Sequence, residues 1–179
     1  TVHYRQTDRG RSFQGIRYQL QLGRQVYVVY PLIKENEKLD LQDLQTGYNQ
    51  LVDIFKEYRV GMVHGKMKSA EKESAMAAFK SGETQILVST TVIEVGVNVP
   101  NASVMVIENA ERFGLAQLHQ LRGRVGRGAE QSYCILMTKD HLTETSLRRM
   151  RVMVDSTDGF VIAEEDMKLR GPGDLEGTA

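Results

Sequence analysis

The chain has 179 residues, of which 41% are hydrophobic and 26% are charged, a composition typical of one globular domain with a modest appendage. Lysine plus arginine and aspartate plus glutamate number 23 each. Net charge therefore says nothing about a nucleic-acid partner, and only local clusters of charge can indicate one. The single cysteine, Cys134, excludes an internal disulfide. Its apolar neighbours indicate a buried structural thiol, in keeping with a cytoplasmic setting. No apolar stretch reaches the roughly 20 residues of a membrane span, and no signal peptide is visible.

Short β-branched and aromatic runs alternate with helical patterns along the whole chain. Residues 1–10 are polar and basic and indicate a lead-in strand or linker. Further strands are predicted at residues 26–30, 60–64, 85–89, 104–107 and 132–138. Because strands alternate with helices, the predicted fold class is α/β, with a mostly parallel sheet, helices on both faces and right-handed crossovers.

Helices are predicted between these strands, at residues 12–22, 41–58, 69–82 and 115–125. Ser12 is expected to cap the first helix, and Gly23 to end it. Residues 34–40 are charged and indicate a loop. The expected inward-facing residues of the first three helices are Phe13, Ile16, Leu20, Leu44, Tyr48, Leu51, Val52, Phe55, Met76, Ala77 and Phe79.

The pattern changes after residue 141. Two helices joined by a turn at Asp158 and Gly159 are predicted, forming a helical hairpin outside the sheet. We therefore divide the chain into a lead-in segment with the first helix (1–24), the α/β domain (25–140) and the hairpin with a Gly-rich loop (141–179). The pattern opens midway and stops within that loop, which indicates a piece of a longer protein.

The strongest chemical signal is the segment 117–128, which places three arginines and three glycines within seven residues. On a helix, Gln120 and Arg124 are one turn apart, and Arg124 and Arg127 can share a face. Neighbouring guanidinium groups repel each other unless an anion lies between them, and their planar forks fit phosphate oxygens. The glycines leave room for another surface to approach closely. The alternative is a solvated basic face ending at Gly126.

A second signal follows the strand at 85–89, where Ser89, Thr90 and Thr91 place three hydroxyls in succession. Ligands of open α/β sheets bind at the carboxyl ends of strands, and hydroxyls with free backbone N–H groups hold phosphate there. The alternative is a simple helix cap by one of them. A third signal is the basic loop His64-Gly65-Lys66, which follows another strand. A lone histidine in such a place is more often structural, which is the alternative for His64.

These blocks, in this order, resemble the later motifs of superfamily-two helicases, whose motor is a pair of RecA-like domains. The segment 120–127 is similar to motif six, 89–100 to motif five, 64–67 to a loop of the second motor domain, and 30–33 to the start of motif four. The resemblance implies that Arg124 and Arg127 reach the γ-phosphate across a domain cleft. It also implies nucleotide contacts by Gly96, Asn98 and Gln120. Asn98 stands where the family usually has aspartate, so this contact carries no charge.

The segments 89–97 and 108–127 resemble the branch that holds the RecG helicases and the transcription-repair coupling factors. The segments 158–166 and 169–173 favour the RecG side and resemble its translocation hairpin and loop, with Arg170 in a coupling role. The loop stops at Ala179, without the glutamine-bearing continuation that this branch shows. Apart from that continuation, the resemblance covers nearly the whole chain.

The resemblance implies the second motor domain of an ATP-dependent DNA helicase that remodels stalled forks and Holliday junctions in recombination and repair. Its partners would be the first RecA-like domain and the wedge domain of the same polypeptide and branched duplex DNA, in the bacterial cytoplasm at the nucleoid, with no membrane. ATP with Mg²⁺ would be bound mainly by the first motor domain, because this sequence holds no G-x-x-x-x-G-K-[ST] loop and no Asp-Glu pair following a strand. The 179 residues alone are therefore predicted to be inactive.

Three alternatives stay open at this point. One is the equivalent domain of a transcription-repair coupling factor. Another is a nucleic-acid-binding module without motor function. The third is a stand-alone enzyme with a small cofactor, which the lack of a G-x-G-x-x-G loop and of a catalytic or metal-ligand cluster among the four histidines disfavours.

Overall fold

The computed structural model describes residues 1–32, 37–90, 99–125 and 131–170. Short 3₁₀ turns at Gln6–Asp8 and Ala110–Arg112 accompany the regular elements. In chain order these elements are β1 (Val2–Arg5), α1 (Arg9–Gln21), β2 (Gln25–Tyr30), α2 (Glu37–Ile54), β3 (Val60–Val63), α3 (Ser69–Ser81), β4 (Ile86–Thr90), β5 (Ala102–Ile107), α4 (Leu115–Arg122), β6 (Tyr133–Thr138), α5 (Glu144–Asp155) and α6 (Gly159–Arg170).

The described strands form one parallel sheet in the order β1-β6-β5-β2-β4-β3. Every described pairing is parallel, as expected for strands joined by crossover helices such as α1, α2, α3 and α4. The lead-in segment supplies the edge strand β1, which pairs with β6 from Val2 opposite Ile135 to Arg5 opposite Thr138. The predicted α/β fold class with a C-terminal hairpin is confirmed.

Two buried clusters cover the two faces of the sheet, because successive strand side chains point to opposite sides. In β2, Val26 and Val28 join the cluster beneath α1 and α2, whereas Tyr27 and Val29 join the cluster beneath α3, α4, α5 and α6. Ring contacts reinforce both clusters. Tyr27 and Phe79 have centroids 4.9 Å apart, and Phe13 meets Phe55 edge-on at 5.9 Å.

Several helix details differ from the sequence prediction. α1 begins at Arg9, so Ser12 lies inside the helix, where its buried hydroxyl donates to the Arg9 carbonyl oxygen at 2.7 Å. α2 begins at Glu37, so the loop predicted at 34–40 is partly helix. Ala77 is exposed, because Ala75 rather than Ala77 shares the helical face of Phe79. Val52 is likewise 41% exposed on the outer side of α2.

The hairpin of α5 and α6 packs against α4 on one face of the sheet. Met150, Met153 and Ile162 are buried in the same cluster as the α4 leucines, so the hairpin and the α/β domain share a core. Between the two helices, Asp158 Oδ1 accepts a hydrogen bond from the Phe160 amide at 2.8 Å, which begins α6 at the turn predicted from the sequence. No helix in the described ranges has the length and apolarity needed to cross a membrane.

Candidate functional site

Four strands end in one row at the carboxyl edge of the sheet. Tyr30 pairs with Thr90, and the registers of Val63 with Ser89 and of Val29 with Ile107 place the next residues of β3 and β5 on the same level. His64, Thr90, Tyr30 and Glu108 therefore succeed one another across the edge. At about 4.8 Å per strand, this row spans roughly 14 Å. The structure thus brings together His64, which begins the predicted loop after β3, and Thr90, which ends β4.

The loop after β3 is a tight turn. The Met67 amide donates to the His64 carbonyl oxygen at 3.2 Å, and the Lys66 amide donates to His64 Nδ1 at 3.2 Å. With Nδ1 accepting, the imidazole is neutral and carries its proton on Nε2. Burial lowers the pKa of His64, an effect that Glu71 opposes and Lys72 reinforces. Gly65 and Lys66 are exposed, so the turn presents an open backbone and a cation at the edge.

The hydroxyl block after β4 lies only partly within the described residues. Ser89 and Thr90 are the last residues of the strand and are only 4% and 2% exposed. Their side chains are thus packed within the sheet layer. Thr91, Gly96 and Asn98 lie outside the described residues.

α4 carries the start of the arginine–glycine segment. The helix begins after Gly114, whose amide donates to Gln117 Oε1 at 3.1 Å. Leu115, Leu118 and Leu121 are buried on its inner side. This spacing turns Gln120 outward, where it is exposed. The amphipathic pattern thus fixes which side of α4 faces outward.

Arg124 lies in the turn that comes after α4. The helix ends at Arg122, and the Arg124 amide donates to the Leu121 carbonyl oxygen at 3.0 Å. The prediction that α4 extends to residue 125 and carries Arg124 on a regular helical turn is therefore wrong. Glycine at position 123 shortens the helix, since it has low helix propensity. Arg127 lies outside the described residues, so its pairing with Arg124 stays a prediction.

Arg124 presents a cation at the surface. Its side chain is exposed, on the sheet face that includes Tyr27. Burial raises the pKa of Tyr27, and the charge of Arg124 opposes that rise. Gly123 has a φ of −68°, and a Cβ there would meet only two backbone oxygens at 3.4 and 3.5 Å. Within the described residues, neither φ nor crowding therefore requires glycine at this position.

Arg122 has a different role from its neighbour. Its Nη1 donates to the Met153 carbonyl oxygen at 2.6 Å, and its Nη2 lies 2.9 Å from His119 Nδ1. The sequence pattern does not separate Arg122 from Arg124, since both belong to the same basic segment. In the structure, Arg122 joins α4 to the last turn of α5. The arginine segment therefore contains both an outward cation and a structural link to the hairpin.

Arg170 is the last residue of α6 and is predicted to act in coupling. Its side chain is 43% exposed, and its Nε lies 3.4 Å from Asp166 Oδ2 one helical turn earlier. Arg170 thus places a positive charge at the C-terminus of α6, where the helix dipole favours it. Residues 171–179 lie outside the described residues.

Two further features of this edge were not predicted from the sequence. Arg9 and Glu108 form a two-pronged ion pair with donor–acceptor distances of 3.0 and 2.7 Å. Tyr30 lies against Gly47 of α2. The ion pair joins residues 99 positions apart, and one sequence contains no signal for it. Gly47, however, is a glycine inside an apolar helical stripe, which is a recognisable sign of close packing.

In the described ranges, no group of three histidine, cysteine, aspartate or glutamate side chains is arranged to hold a metal ion. Arg124 carries a guanidinium fork and Gln120 carries an amide, and both lie on the outer surface of the same segment. Groups of these two kinds can donate hydrogen bonds to phosphate oxygens.

Comparisons with known proteins agree with this geometry. The family described as Helicase conserved C-terminal domain matches residues 13–129, and the family described as ATP-dependent DNA helicase RecG, domain 3, C-terminal matches residues 156–179. The chain is 55% identical over 172 residues to ATP-dependent DNA helicase RecG of Synechocystis and 58% identical over 156 residues to that of Escherichia coli K12. These alignments cover 96% and 87% of this chain but only 21% and 22% of the relatives, so the chain spans about a fifth of their length.

A solved structure of RecG bound to a three-way DNA junction is similar to 97% of this chain, with a TM-score of 0.78 and 44% identity, and the match covers 22% of that protein. The L327V variant of Dbp5 of S. cerevisiae bound to RNA and ADP BeF3 matches 96% of this chain and 45% of its own, at a TM-score of 0.58 and 15% identity, which shows a shared fold alone. The match over residues 156–179 resolves the hairpin in favour of RecG. The chain belongs to the helicase conserved C-terminal domain family, and within it to the branch of the RecG helicases.

Proposed function

We propose that this chain is the second motor domain of an ATP-dependent DNA helicase that remodels branched DNA, such as stalled forks and Holliday junctions, in recombination and repair. Its relatives are named ATP-dependent DNA helicases, and a similar RecG is described as bound to a three-way junction. The observation that carries the proposal is the exposed Arg124 beside Gly123, a glycine that nothing in the described residues requires. This pairing suits a cation that meets a ligand held by another surface.

Arg124 and Arg127 act on the γ-phosphate when the two motor domains close. In phosphoryl transfer, charge develops on the equatorial oxygens, and a guanidinium fork placed against them stabilises the transition state. Such arginines contribute roughly 10³–10⁵ in rate in systems where they are supplied in this way. Gly123 lets the phosphate-bearing surface approach the turn closely, and Gln120 contributes an amide contact next to it.

ATP with Mg²⁺ is held mainly by the first RecA-like domain of the full-length protein. Bound there, Mg²⁺ neutralises charge on the phosphates and orients them. From this chain, Gly96 and Asn98 complete the nucleotide site together with Gln120 and the two arginines. Asn98 supplies a hydrogen bond where a carboxylate would supply a charge.

The carboxyl edge of the sheet holds the DNA backbone. The turn of His64, Gly65 and Lys66 offers a cation and an open main chain, and Thr91 comes directly after the neighbouring strand. Because Ser89 and Thr90 are packed in the sheet, they contribute mainly by setting the position of the next residues along the chain. Contacts of this kind fix position on DNA without reading sequence.

The hairpin converts nucleotide-driven closure into movement on DNA, with Arg170 in the coupling role. α4 carries the arginine segment and packs against α5 and α6, so displacement of that segment is passed to the hairpin. The wedge domain of the same polypeptide would then determine which branched structures are engaged. The relatives are bacterial, and the proposed site of action is the nucleoid in the cytoplasm.

The test of the arginines uses the full-length protein. Arg124→Ala and Arg127→Ala should each lower DNA-stimulated kcat by at least about a hundredfold, while binding to a fork-shaped DNA is retained. Arg17→Ala is the control, because Arg17 is a partly exposed arginine of α1 that pairs with Glu57 and donates to the Ile54 carbonyl oxygen, on the other face of the sheet from Arg124. Normal DNA-stimulated ATP hydrolysis by both arginine variants would refute the proposal.

The test of the half-motor assignment uses the 179-residue chain itself. It should hydrolyse no ATP above background, with or without branched DNA. Appreciable turnover by this chain alone would overturn the assignment, since its arginines would then need no nucleotide supplied from another domain.

The test of coupling compares two variants of the full-length protein. Arg170→Ala should spare ATP hydrolysis but slow fork unwinding. Asp166→Ala removes the neighbouring carboxylate and leaves the cation in place, so it should leave unwinding near normal. Equal loss of hydrolysis and unwinding in Arg170→Ala would contradict the coupling role.

A further inference from the structure

An ion pair between Arg9 and Glu108 lies at the carboxyl edge, beside the segment that leads to α4. Arg9 Nη1 and Nη2 donate to the two carboxylate oxygens of Glu108 at 3.0 and 2.7 Å, and Arg9 Nε donates to Gln6 Oε1 at 2.8 Å. The two side chains are 18% and 7% exposed. Two-pronged geometry of this kind fixes orientation as well as distance. Arg9 therefore holds the Glu108 carboxylate in one defined position.

Glu108 stands where the chain must change direction. β2 and β5 are neighbours in the sheet, yet the chain leaving β2 enters α2 on one face and the chain leaving β5 enters α4 on the other. The Glu108 amide donates to the Val29 carbonyl oxygen at 2.8 Å, the last backbone bond tying this segment to β2. The crevice between two such diverging strands is the position where α/β sheets place their ligands.

The segment after Glu108 is short and constrained. Asn109 adopts a left-handed conformation, with φ 51° and ψ 47°, and is the only non-glycine with positive φ among the described residues. Phe113 and Leu115 are then buried in the core. Six residues therefore separate the carboxylate held by Arg9 from the first residue of α4. A displacement of Glu108 should therefore also displace the start of α4.

We propose that Arg9 and Glu108 are positioning residues for the motor reaction, which fix the start of the segment leading into α4 and so hold Gln120 and Arg124 in the arrangement that meets the nucleotide. This inference rests on the proposed function of Arg124. It assigns to α1, on the opposite face of the sheet, a role in setting the geometry of the arginine segment. Neither residue touches the nucleotide, and each acts through the chain that it holds.

A role in positioning is separable from a role in stability. Removing one partner leaves a buried, unpaired charge and destabilises the protein, whereas replacing both partners by apolar residues of similar size is often neutral. The double variant Arg9→Met with Glu108→Leu therefore removes the fixed orientation while the fold is kept. The control is Arg17→Met with Glu57→Leu, which removes a more exposed ion pair of the same helix together with the bond from Arg17 to the Ile54 carbonyl oxygen.

The experiment measures DNA-stimulated ATP hydrolysis by the full-length protein, together with its thermal unfolding and its affinity for a fork-shaped DNA. The double variant should keep its Tm and its DNA affinity, while kcat falls by about tenfold or more, since small displacements of catalytic groups are costly. The KM for ATP should stay within about twofold, because the ion pair is proposed to position groups for the transition state and not to bind ATP itself. Arg9→Lys keeps the positive charge but not the two-pronged guanidinium geometry. Its kcat should therefore lie between that of the double variant and that of the native protein.

Wild-type kcat in a stable double variant would overturn the inference, as would an equal loss in the Arg17 and Glu57 control. If the double variant fails to unfold cooperatively, Arg9→Lys decides: a folded protein with full kcat overturns the inference, and reduced kcat at unchanged KM supports it. Arg124→Ala is measured alongside. Loss of kcat in Arg124→Ala but not in the double variant overturns the positioning role alone, whereas no loss in either overturns the proposed function as well.

Discussion

Gly47 faces a buried tyrosine, and an added methyl group there should destabilise the chain. A Cβ at position 47 would overlap the phenol oxygen and Cζ of Tyr30 and lie 3.0 Å from Cε2 of the ring. Tyr30 is only 7% exposed, and its ring must shift before the methyl group can be accommodated. Overpacking of this kind costs about 1–3 kcal/mol. Replacing glycine by alanine inside a helix stabilises the folded chain by about 0.5–1 kcal/mol. Gly47→Ala should therefore lower the free energy of unfolding by roughly 1 kcal/mol, and by at most about 2.5 kcal/mol.

The effect of Gly47→Ala on the free energy of unfolding should change sign when Tyr30 is replaced. In a Tyr30→Val background, the strand keeps a residue type that strands favour and the space above Gly47 opens, so only the gain in helix propensity remains. Gly47→Ala should then raise the free energy of unfolding by about 0.5–1 kcal/mol. The four proteins of this double-mutant cycle are compared by urea denaturation at one pH, with the slopes checked for equality. A stabilising effect of Gly47→Ala in the native background would refute the reasoning.

Three further predictions concern single groups. Arg122→Ala removes the donors to the Met153 carbonyl oxygen and to His119, so it should speed hydrogen exchange in α5 and lower stability by about 1.5–3 kcal/mol; unchanged exchange would contradict this. Burial raises the pKa of Cys134 to about 11, so alkylation at pH 8 should be slow until the chain unfolds, and rapid labelling of the folded chain would refute this. Burial lowers the pKa of His64, so NMR should show a neutral ring with its proton on Nε2 at pH 7. The stability from this neutral ring is present above the unfolded pKa and lost as pH falls through the folded pKa, and a titration above pH 6.5 would contradict the assignment.

Local patterns in the sequence predict most of the fold. Alternating strand and helix signals predict the parallel sheet because each signal depends on only a few neighbouring residues. Gly23 and Gly82 end their helices with positive φ, as glycine allows. Boundaries are less well predicted. Ser12 resembles a cap but lies three residues inside α1, since a hydroxyl also bonds the carbonyl of the preceding turn.

The candidate site is less predictable, because its geometry depends on residues that are distant in sequence. Local pattern places Arg122 and Arg124 in one basic segment, but only the position of Met153 distinguishes a structural arginine from an outward one. Strand order determines that Glu108 meets Arg9, and a single sequence does not show strand order. The packing of Ser89 and Thr90 has the same cause, since both residues lie inside paired strands.

The packing of the hairpin limits how motion reaches DNA. Met150, Met153 and Ile162 are each at most 2% exposed and lie in the same cluster as the buried leucines of α4. Freeing the hairpin from the sheet would expose all three, at about 1.5–3 kcal/mol each, and would also break the bond from Arg122 to the α5 carbonyl. That cost is large compared with the few kcal/mol that separate the conformations of a switching protein. Within the proposed motor, the hairpin therefore moves together with the second domain, and nucleotide-driven change takes place between domains instead of within this one.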